Sequence, residues 1–208
     1  NSLAAKNILV KNCRLSADKI EVVYNGLEYL PKNTDLIPIL ERKPHILTVA
    51  NINQRKGHLE YLSVIQKVLM EIPQAKFIFV GRDDMNGVIQ KKIIEYKLEK
   101  SMILSGFQTD VSEFYKNAKL FVLPSLWGEG APTSIIESLS WGIPVISYDV
   151  GGCSELVDDN INGYVIQPGN SKKLTEKIIN LFKNDIVIKK MSNNGLLKSR
   201  QYNLKISS

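Results

Sequence analysis

From His45 onward the apolar positions of the chain alternate between two rhythms. Short runs rich in β-branched and aromatic residues, His45 to Ala50, Lys76 to Val80, Met102 to Leu104, Leu120 to Leu123, Pro144 to Ser147 and Tyr164 to Ile166, read as strands. Between them lie longer stretches with apolar residues three and four apart, as at Leu59, Leu62, Ile65, Val68 and Leu69. These predict helices over Gly57 to Glu71, Gly87 to Leu98, Val111 to Ala118, Thr133 to Ser140, Ser171 to Phe182 and Asp185 to Leu197. Such alternation predicts an α/β fold, a Rossmann-like doubly wound parallel sheet of about six strands with flanking helices, over residues 44–200. Residues 1–43 do not follow the pattern. A helical start, a strand at Ile20 to Tyr24, a turn at Asn25-Gly26 and a polar stretch with Pro31 and Pro38 read as an inter-domain connector and the start of the domain.

In a doubly wound sheet ligands sit outside the carboxyl ends of the strands. Three loops qualify: Asn51 to Lys56, Ser105 to Gln108, and Pro124 to Pro132. The third passes through Gly128, Glu129 and Gly130 before a helix opens near Pro132, a residue suited to the first helical position because it lacks an amide. The amides of Ala131, Thr133 and Ser134 are then expected to be free for a phosphate. Glu137 lies one turn inside that helix among Ile135, Ile136 and Leu139, so its carboxylate needs a partner. Two readings of it stand side by side. It pairs with a structural lysine or a backbone amide, or it accepts both hydroxyls of a vicinal diol such as a ribose. In the first loop, Arg55 and Lys56 before Gly57 are two adjacent cations at the end of a strand, placed to meet a diphosphate from the side opposite the Glu129 loop; taken alone they also read as solvated charges.

Composition narrows the classes. The 208 residues are 44% apolar and 23% charged, which is ordinary for a folded domain rather than a disordered one. Cys13 and Cys153 are the only cysteines, and His45 and His58 the only histidines, so a disulfide scaffold, a zinc site and a haem are not expected and a reducing compartment fits. No apolar run approaches the ~20 residues of a membrane span, no glycosylation sequon is present, and a signal peptide is not expected. Neither the glycine fingerprint of a dinucleotide redox site nor a P-loop occurs, and the pairs Asp83-Asp84 and Asp158-Asp159 sit in turn-like contexts, so no metal is expected. The net charge of +6 is uneven: from Lys172 onward nine basic residues face only Glu176 and Asp185, leaving the rest of the chain close to neutral. That stretch reads as a solvated helix face or as a segment attracted to an anionic surface.

The order of these residues resembles the C-terminal, nucleotide-sugar-binding domain of the family-four (group 1) retaining glycosyltransferases, which have the two-domain GT-B fold. Glu129 and Glu137 match that family's Glu-x7-Glu motif, with Pro124-Ser125 before it and Gly142-Ile143-Pro144-Val145 after it. Val49 to Gly57 matches the phosphate loop ending in Lys-Gly, and Gly151-Gly152 with Glu155, then Asn162-Gly163, match the closing turns. The resemblance implies that Lys56 binds the donor diphosphate, that Glu137 accepts the ribose hydroxyls, and that Glu129 lies near the transferred sugar, Glu129 and Lys56 forming the catalytic pair. It further implies that Gly130, Ala131, Pro132 and Thr133 hold sugar and phosphate and that Gly106 and Phe107 mark the place of the base. The donor is a nucleoside-diphosphate sugar of UDP or GDP type, with no cofactor and no metal, and no nucleic-acid partner. Where the family's loop usually carries an arginine this chain has Asn51; Arg55 is the candidate replacement.

The same resemblance implies metal-independent transfer with retention, through an oxocarbenium-like transition state with the leaving phosphate assisting as base. It also implies an acceptor, a glycan or lipid-linked, bound by an N-terminal domain outside this chain, and residues 201–208 as the truncated start of the helix that crosses back. On its own the fragment is expected to be inactive. The expected location is cytoplasmic and peripheral, at the inner face of the cell membrane, with the basic C-terminal segment against anionic lipid. Two alternatives remain at this point: a non-catalytic nucleotide-sugar-binding or scaffolding module of the same fold, and a nucleotide-sugar epimerase.

Overall fold

The computed structural model describes residues 1–13, 15–28 and 30–203. Six short strands, β1 (His45–Val49), β2 (Lys76–Val80), β3 (Met102–Leu104), β4 (Ala118–Leu123), β5 (Val145–Tyr148) and β6 (Gly163–Ile166), pair in parallel. The central ones are covered on both faces, which is why Leu120 to Leu123 is a continuous apolar run rather than an alternating one. The strand order is β3-β2-β1-β4-β5-β6. After β3 the chain returns to the far side of β1, so the winding direction reverses between β1 and β4, and a crevice opens at their carboxyl ends. Inside, the Thr48 hydroxyl donates to the Val122 carbonyl at 2.8 Å and ties the two strands together.

The helices are α1 (Leu3–Cys13), α2 (His58–Glu71), α3 (Val88–Glu95), α4 (Ser112–Asn117), α5 (Thr133–Ser140), α6 (Cys153–Leu156), α7 (Ser171–Phe182) and α8 (Asp185–Ser199). One core layer packs α2, α3 and α7 on the sheet through Leu62, Ile65, Ile89, Ile93, Leu174 and Ile178. The opposite layer packs α4, α5 and α6 through Tyr115, Ile135, Ile136, Leu139 and Leu156. Helix α2 starts at Gly57 without a side-chain cap. Its position is therefore held by burial of Leu62, Ile65 and Val68, at about 1.5–3 kcal/mol for each fully enclosed side chain.

Several boundaries differ from the pattern-based expectation. Helix α3 stops at Glu95, because Lys97 takes a left-handed φ of 57° and the Leu98 amide turns back to the Ile93 carbonyl. A short helix, α6, follows the Gly151-Gly152 turn where none was expected. The predicted strand at Ile20 to Tyr24 pairs with no strand among the described residues, and Asn25-Gly26 forms no turn there. A bridge between Leu27 and Asn203 and the side chain of Arg42 help to hold the connector instead. Arg42 is 7% exposed; its guanidinium donates to the carbonyls of Ile37 (2.8 Å), Ala118 (3.1 Å) and Trp141 (2.6 Å), stitching residues 37–42 beneath β4 and α5. Of the expected terminal helix, Arg200–Tyr202 is a 3-10 turn and residues 204–208 lie outside the described residues.

His58, the first residue of α2, is fully buried, with its ring edge-on to Phe79 at 4.9 Å and neither ring nitrogen bonded among the described residues. Burial, and then the charge of Lys56, pull its pKa from 6.5 down to about 4. The unfolded chain takes up a proton below its ordinary pKa that the folded chain refuses until the lower value, so stability falls as pH drops through that window. The loss reaches about 3 kcal/mol at the acid end. His58→Phe keeps the ring packing and is expected to remove this part of the pH dependence. Urea unfolding of both proteins at about pH 7 and about pH 4.5 measures it; equal slopes in the two would refute the assignment.

Candidate functional site at the sheet crossover

Because β1 and β4 are neighbours at the reversal, the loops that follow them meet. After β1, residues Gln54–Lys56 form a 3-10 turn whose cap, Asn53, accepts from the Lys56 amide at 3.2 Å. Gly57 then turns the chain into α2 at φ 69°. After β4, the chain passes Pro124 to Pro132 before α5. The two loops are laced by the Leu126 amide donating to the Arg55 carbonyl (2.8 Å) and Arg55 Nη1 donating to the Gly128 carbonyl (2.6 Å).

That lacing brings opposite charges together. Lys56 Nζ lies 2.6 Å from Glu129 Oε1, and Arg55 Nη1 lies 3.4 Å from the same oxygen. The Glu129 side chain is 6% exposed and that of Lys56 13%, while Arg55 at 37% faces solvent. The expectation that the cations stand opposite the Glu129 loop is corrected here: they touch it. Behind the loop, the Gly152 amide donates to the Gly130 carbonyl at 2.8 Å. Gly151 has φ 57° and lies so near the Glu129 carbonyl that any β-carbon there would overlap its oxygen.

Pro132 occupies the cap position of α5 rather than its first turn. The amides of Thr133 and Ser134 carry no hydrogen bond among the described residues, as expected, but the Ala131 amide donates to Asn1 Oδ1 at 3.3 Å. One turn further, Glu137 is half-buried and its Oε2 accepts from the Tyr115 hydroxyl at 2.6 Å. Its partner is thus neither a lysine nor a backbone amide. Burial, then the facing carboxylate, push the Tyr115 phenol well above its ordinary range, so it stays a donor. Glu137 lines a cavity of about 480 Å³ with Leu27, Glu28, Thr109, Ser112 and Trp141. A smaller hollow of about 130 Å³, bordered by Val49, Asn51, Gly81, Phe107 and Gln108, opens at the carboxyl ends of β1 and β2. Phe107 stands on its rim, 69% exposed, and the Gly106 carbonyl accepts from the Gly81 amide at 2.9 Å.

Asn51 does not join the charged cluster; its side chain accepts from the Arg82 amide at 3.2 Å. Three other residues that shape the site carry no local signal in the sequence. Asn25 reads as a turn former, yet its side-chain amide donates to the Ala131 carbonyl (3.0 Å) and Thr133 Oγ1 (3.3 Å). Tyr115 reads as one more apolar position of α4. Glu155, noted only beside its glycines, accepts from the Leu3 and Ala4 amides, both at 2.8 Å, and from the Tyr24 hydroxyl at 2.5 Å. That last bond is the main reason the Tyr24 phenol is pushed up to about 12. Among the described residues, no group of three or more His, Cys, Asp or Glu side chains is placed to hold a metal ion, and no helix is long and apolar enough to cross a membrane.

The family model for glycosyl transferases group 1 matches residues 33–198. Amylovoran biosynthesis glycosyltransferase AmsK of Erwinia amylovora is 27% identical over 172 residues, covering 79% of this chain and 42% of its own length. A UDP-Gal:alpha-D-GlcNAc-diphosphoundecaprenol alpha-1,3-galactosyltransferase of Escherichia coli is 30% identical over 202 residues, covering 91% of this chain and 51% of its own length. The chain therefore spans about half of the length of these relatives. Among solved structures, Anabaena Alr3699/HepE in complex with UDP superposes with a TM-score of 0.86 at 20% identity, over 99% of this chain and 59% of that one. At that identity the likeness is one of fold.

The close approach at Gly57 is testable. A β-carbon there would overlap the Pro124 carbonyl oxygen and crowd Leu126, and the left-handed φ is itself unfavourable for a side chain. Gly57→Ala is expected to lower the unfolding free energy by about 2 kcal/mol or more, read from the urea midpoint; an unchanged midpoint would show that the two loops do not depend on this approach.

Proposed function

The chain belongs to the group 1 glycosyl transferases, and from that membership we propose that it is the donor-binding part of a retaining glycosyltransferase. The whole protein moves a sugar from a nucleoside diphosphate to a glycan or lipid-linked acceptor held by a domain outside this chain. One observation carries the reading: a buried Lys56–Glu129 pair with Arg55 at its solvent edge, and a held Glu137, flank the start of α5 at the reversal of the sheet. The names of the Erwinia and Escherichia relatives, a glycosyltransferase of amylovoran biosynthesis and a UDP-Gal-dependent galactosyltransferase, support a polymer or lipid-linked product. The UDP bound to the Anabaena neighbour supports a uridine donor.

In this reading the diphosphate takes over Lys56, and Arg55 beside it, from Glu129, and the free amides of Thr133 and Ser134 add the partial charge of the α5 start. Released from its cations, Glu129 turns to the hydroxyls of the transferred sugar. Gly130 to Thr133 line the sugar and phosphate, Glu137 receives the ribose hydroxyls, and Gly106 and Phe107 border the base. As the bond from the anomeric carbon to the phosphate oxygen breaks, charge collects on the leaving diphosphate. Fixed cations and a helix N-terminus meet it there without reorganising. The acceptor oxygen bonds the same face of the sugar, and its proton passes to the leaving phosphate. No cofactor or metal has a role in this scheme.

The reading predicts calorimetric binding of UDP or GDP to the chain, weakened by Glu137→Ala by about 1.5–3 kcal/mol, the worth of hydrogen bonds to a charged group. A folded chain that binds neither nucleotide overturns it. The basic stretch is assigned a peripheral contact with anionic lipid at the inner face of the membrane. Lys172, Lys173, Lys189, Lys190 and Arg200 are exposed, whereas Lys183 and Lys198 are paired with Glu71 and Asp158. Co-sedimentation with phosphatidylserine vesicles is expected at low salt and is expected to fall as salt rises; salt-independent binding, or none, would exclude this contact.

A further inference from the structure

Tyr115 is 1% exposed, its ring sits 6.2 Å from that of Phe121, and its hydroxyl points at one carboxylate oxygen of Glu137, 2.6 Å away. Two further groups stand near that hydroxyl, the Ser134 carbonyl at the 3.5 Å limit of a hydrogen bond and the Ser138 side chain. The carboxylate, charged and at 2.6 Å, is the strongest of these partners, and a buried phenol stays bonded to it. Glu137, by contrast, faces a cavity of about 480 Å³ in which its long side chain has room to turn. The Tyr115 bond opposes that freedom: it takes one lone pair of Oε2 and leaves Oε1, with the remaining pair of Oε2, to accept from a ligand in the cavity that Glu137 lines.

We propose that Tyr115 is a positioning residue for nucleotide recognition: its hydroxyl fixes the plane of the Glu137 carboxylate so that both oxygens meet a vicinal diol, and it does not itself touch the ligand. This rests on the proposed role of Glu137 at the ribose. The benefit lies in preorganisation, since an already ordered carboxylate loses less freedom when the diol arrives. Diol recognition is also what separates this role from packing. A residue that merely supports the core affects every nucleotide alike, whereas a residue that orients Glu137 affects only ligands that carry the hydroxyls.

The experiment is calorimetry with UDP and with 2′,3′-dideoxy-UDP on the wild-type chain, Tyr115→Phe, Glu137→Ala and the double variant. Tyr115→Phe removes one oxygen and keeps the ring on Phe121, and its unfolding midpoint is measured alongside. The expected result is about fivefold weaker UDP binding by Tyr115→Phe with dideoxy-UDP binding unchanged. With Glu137→Ala already in place, adding Tyr115→Phe is expected to have no further effect on either nucleotide. Equal weakening for both nucleotides, or no weakening for UDP, overturns the Tyr115 role while leaving that of Glu137 standing. A wild-type chain that binds the two nucleotides alike overturns the Glu137 reading itself.

Discussion

Two charges taken out of water at the sheet reversal set the terms for the site. Lys56 and Glu129 are 73 residues apart in the chain and 2.6 Å apart in space, on loops that meet because β1 and β4 are adjacent. A buried pair is worth having only if its geometry is good and its remaining lone pairs are met, and removing one partner of such a pair commonly costs about 3–5 kcal/mol. The surrounding backbone is arranged accordingly. Gly57 and Gly151 allow carbonyls to come where a side chain would stand, and Arg55 adds a second donor to the same oxygen. In the proposed reading an anionic ligand draws Lys56 towards itself and away from Glu129, exchanging one anion for another, and the carboxylate turns to hydroxyl donors of its own. A nucleoside-diphosphate sugar carries both needs in one molecule.

The sheet and its helices were legible because each is a local pattern: a run such as Lys76 to Val80 or a stripe such as Leu62, Ile65 and Val68 announces its element without reference to the rest of the chain. Glu129 and Glu137 were legible for a related reason, since both lie on one loop-to-helix segment. What pattern could not supply was the meeting of distant groups. The contact of Lys56 with Glu129 depends on strand order, and neither loop reveals that the cations touch the glutamate rather than oppose it. Asn25 looked like half of a turn because Asn-Gly is turn chemistry, and its amide was claimed instead by the Ala131 carbonyl and Thr133. Tyr115 lies inside the Val111 to Ala118 helix pattern, and that local pattern does not reveal a hydroxyl bond to a carboxylate 22 residues further along the chain. Residues 20–24 had strand composition but no neighbour to pair with, and composition does not choose neighbours.

The connector is bound to the same loop that holds the charges, through a chain of contacts running from Glu155. That carboxylate receives the first two amides of α1 and the Tyr24 hydroxyl, and although burial opposes its ionisation these donors hold it below its ordinary range. It stands on α6, directly after the Gly151-Gly152 turn that abuts the carbonyls of Glu129 and Gly130. Asn25 reaches the far side of that loop at Ala131 and Thr133, and Asn1 reaches the Ala131 amide. The segment that precedes the sheet therefore grips the Glu129 loop at both ends. A displacement of α1 or of residues 24–25 is passed to that loop, through Glu155 and the Gly151-Gly152 turn on one side and through Asn25 on the other.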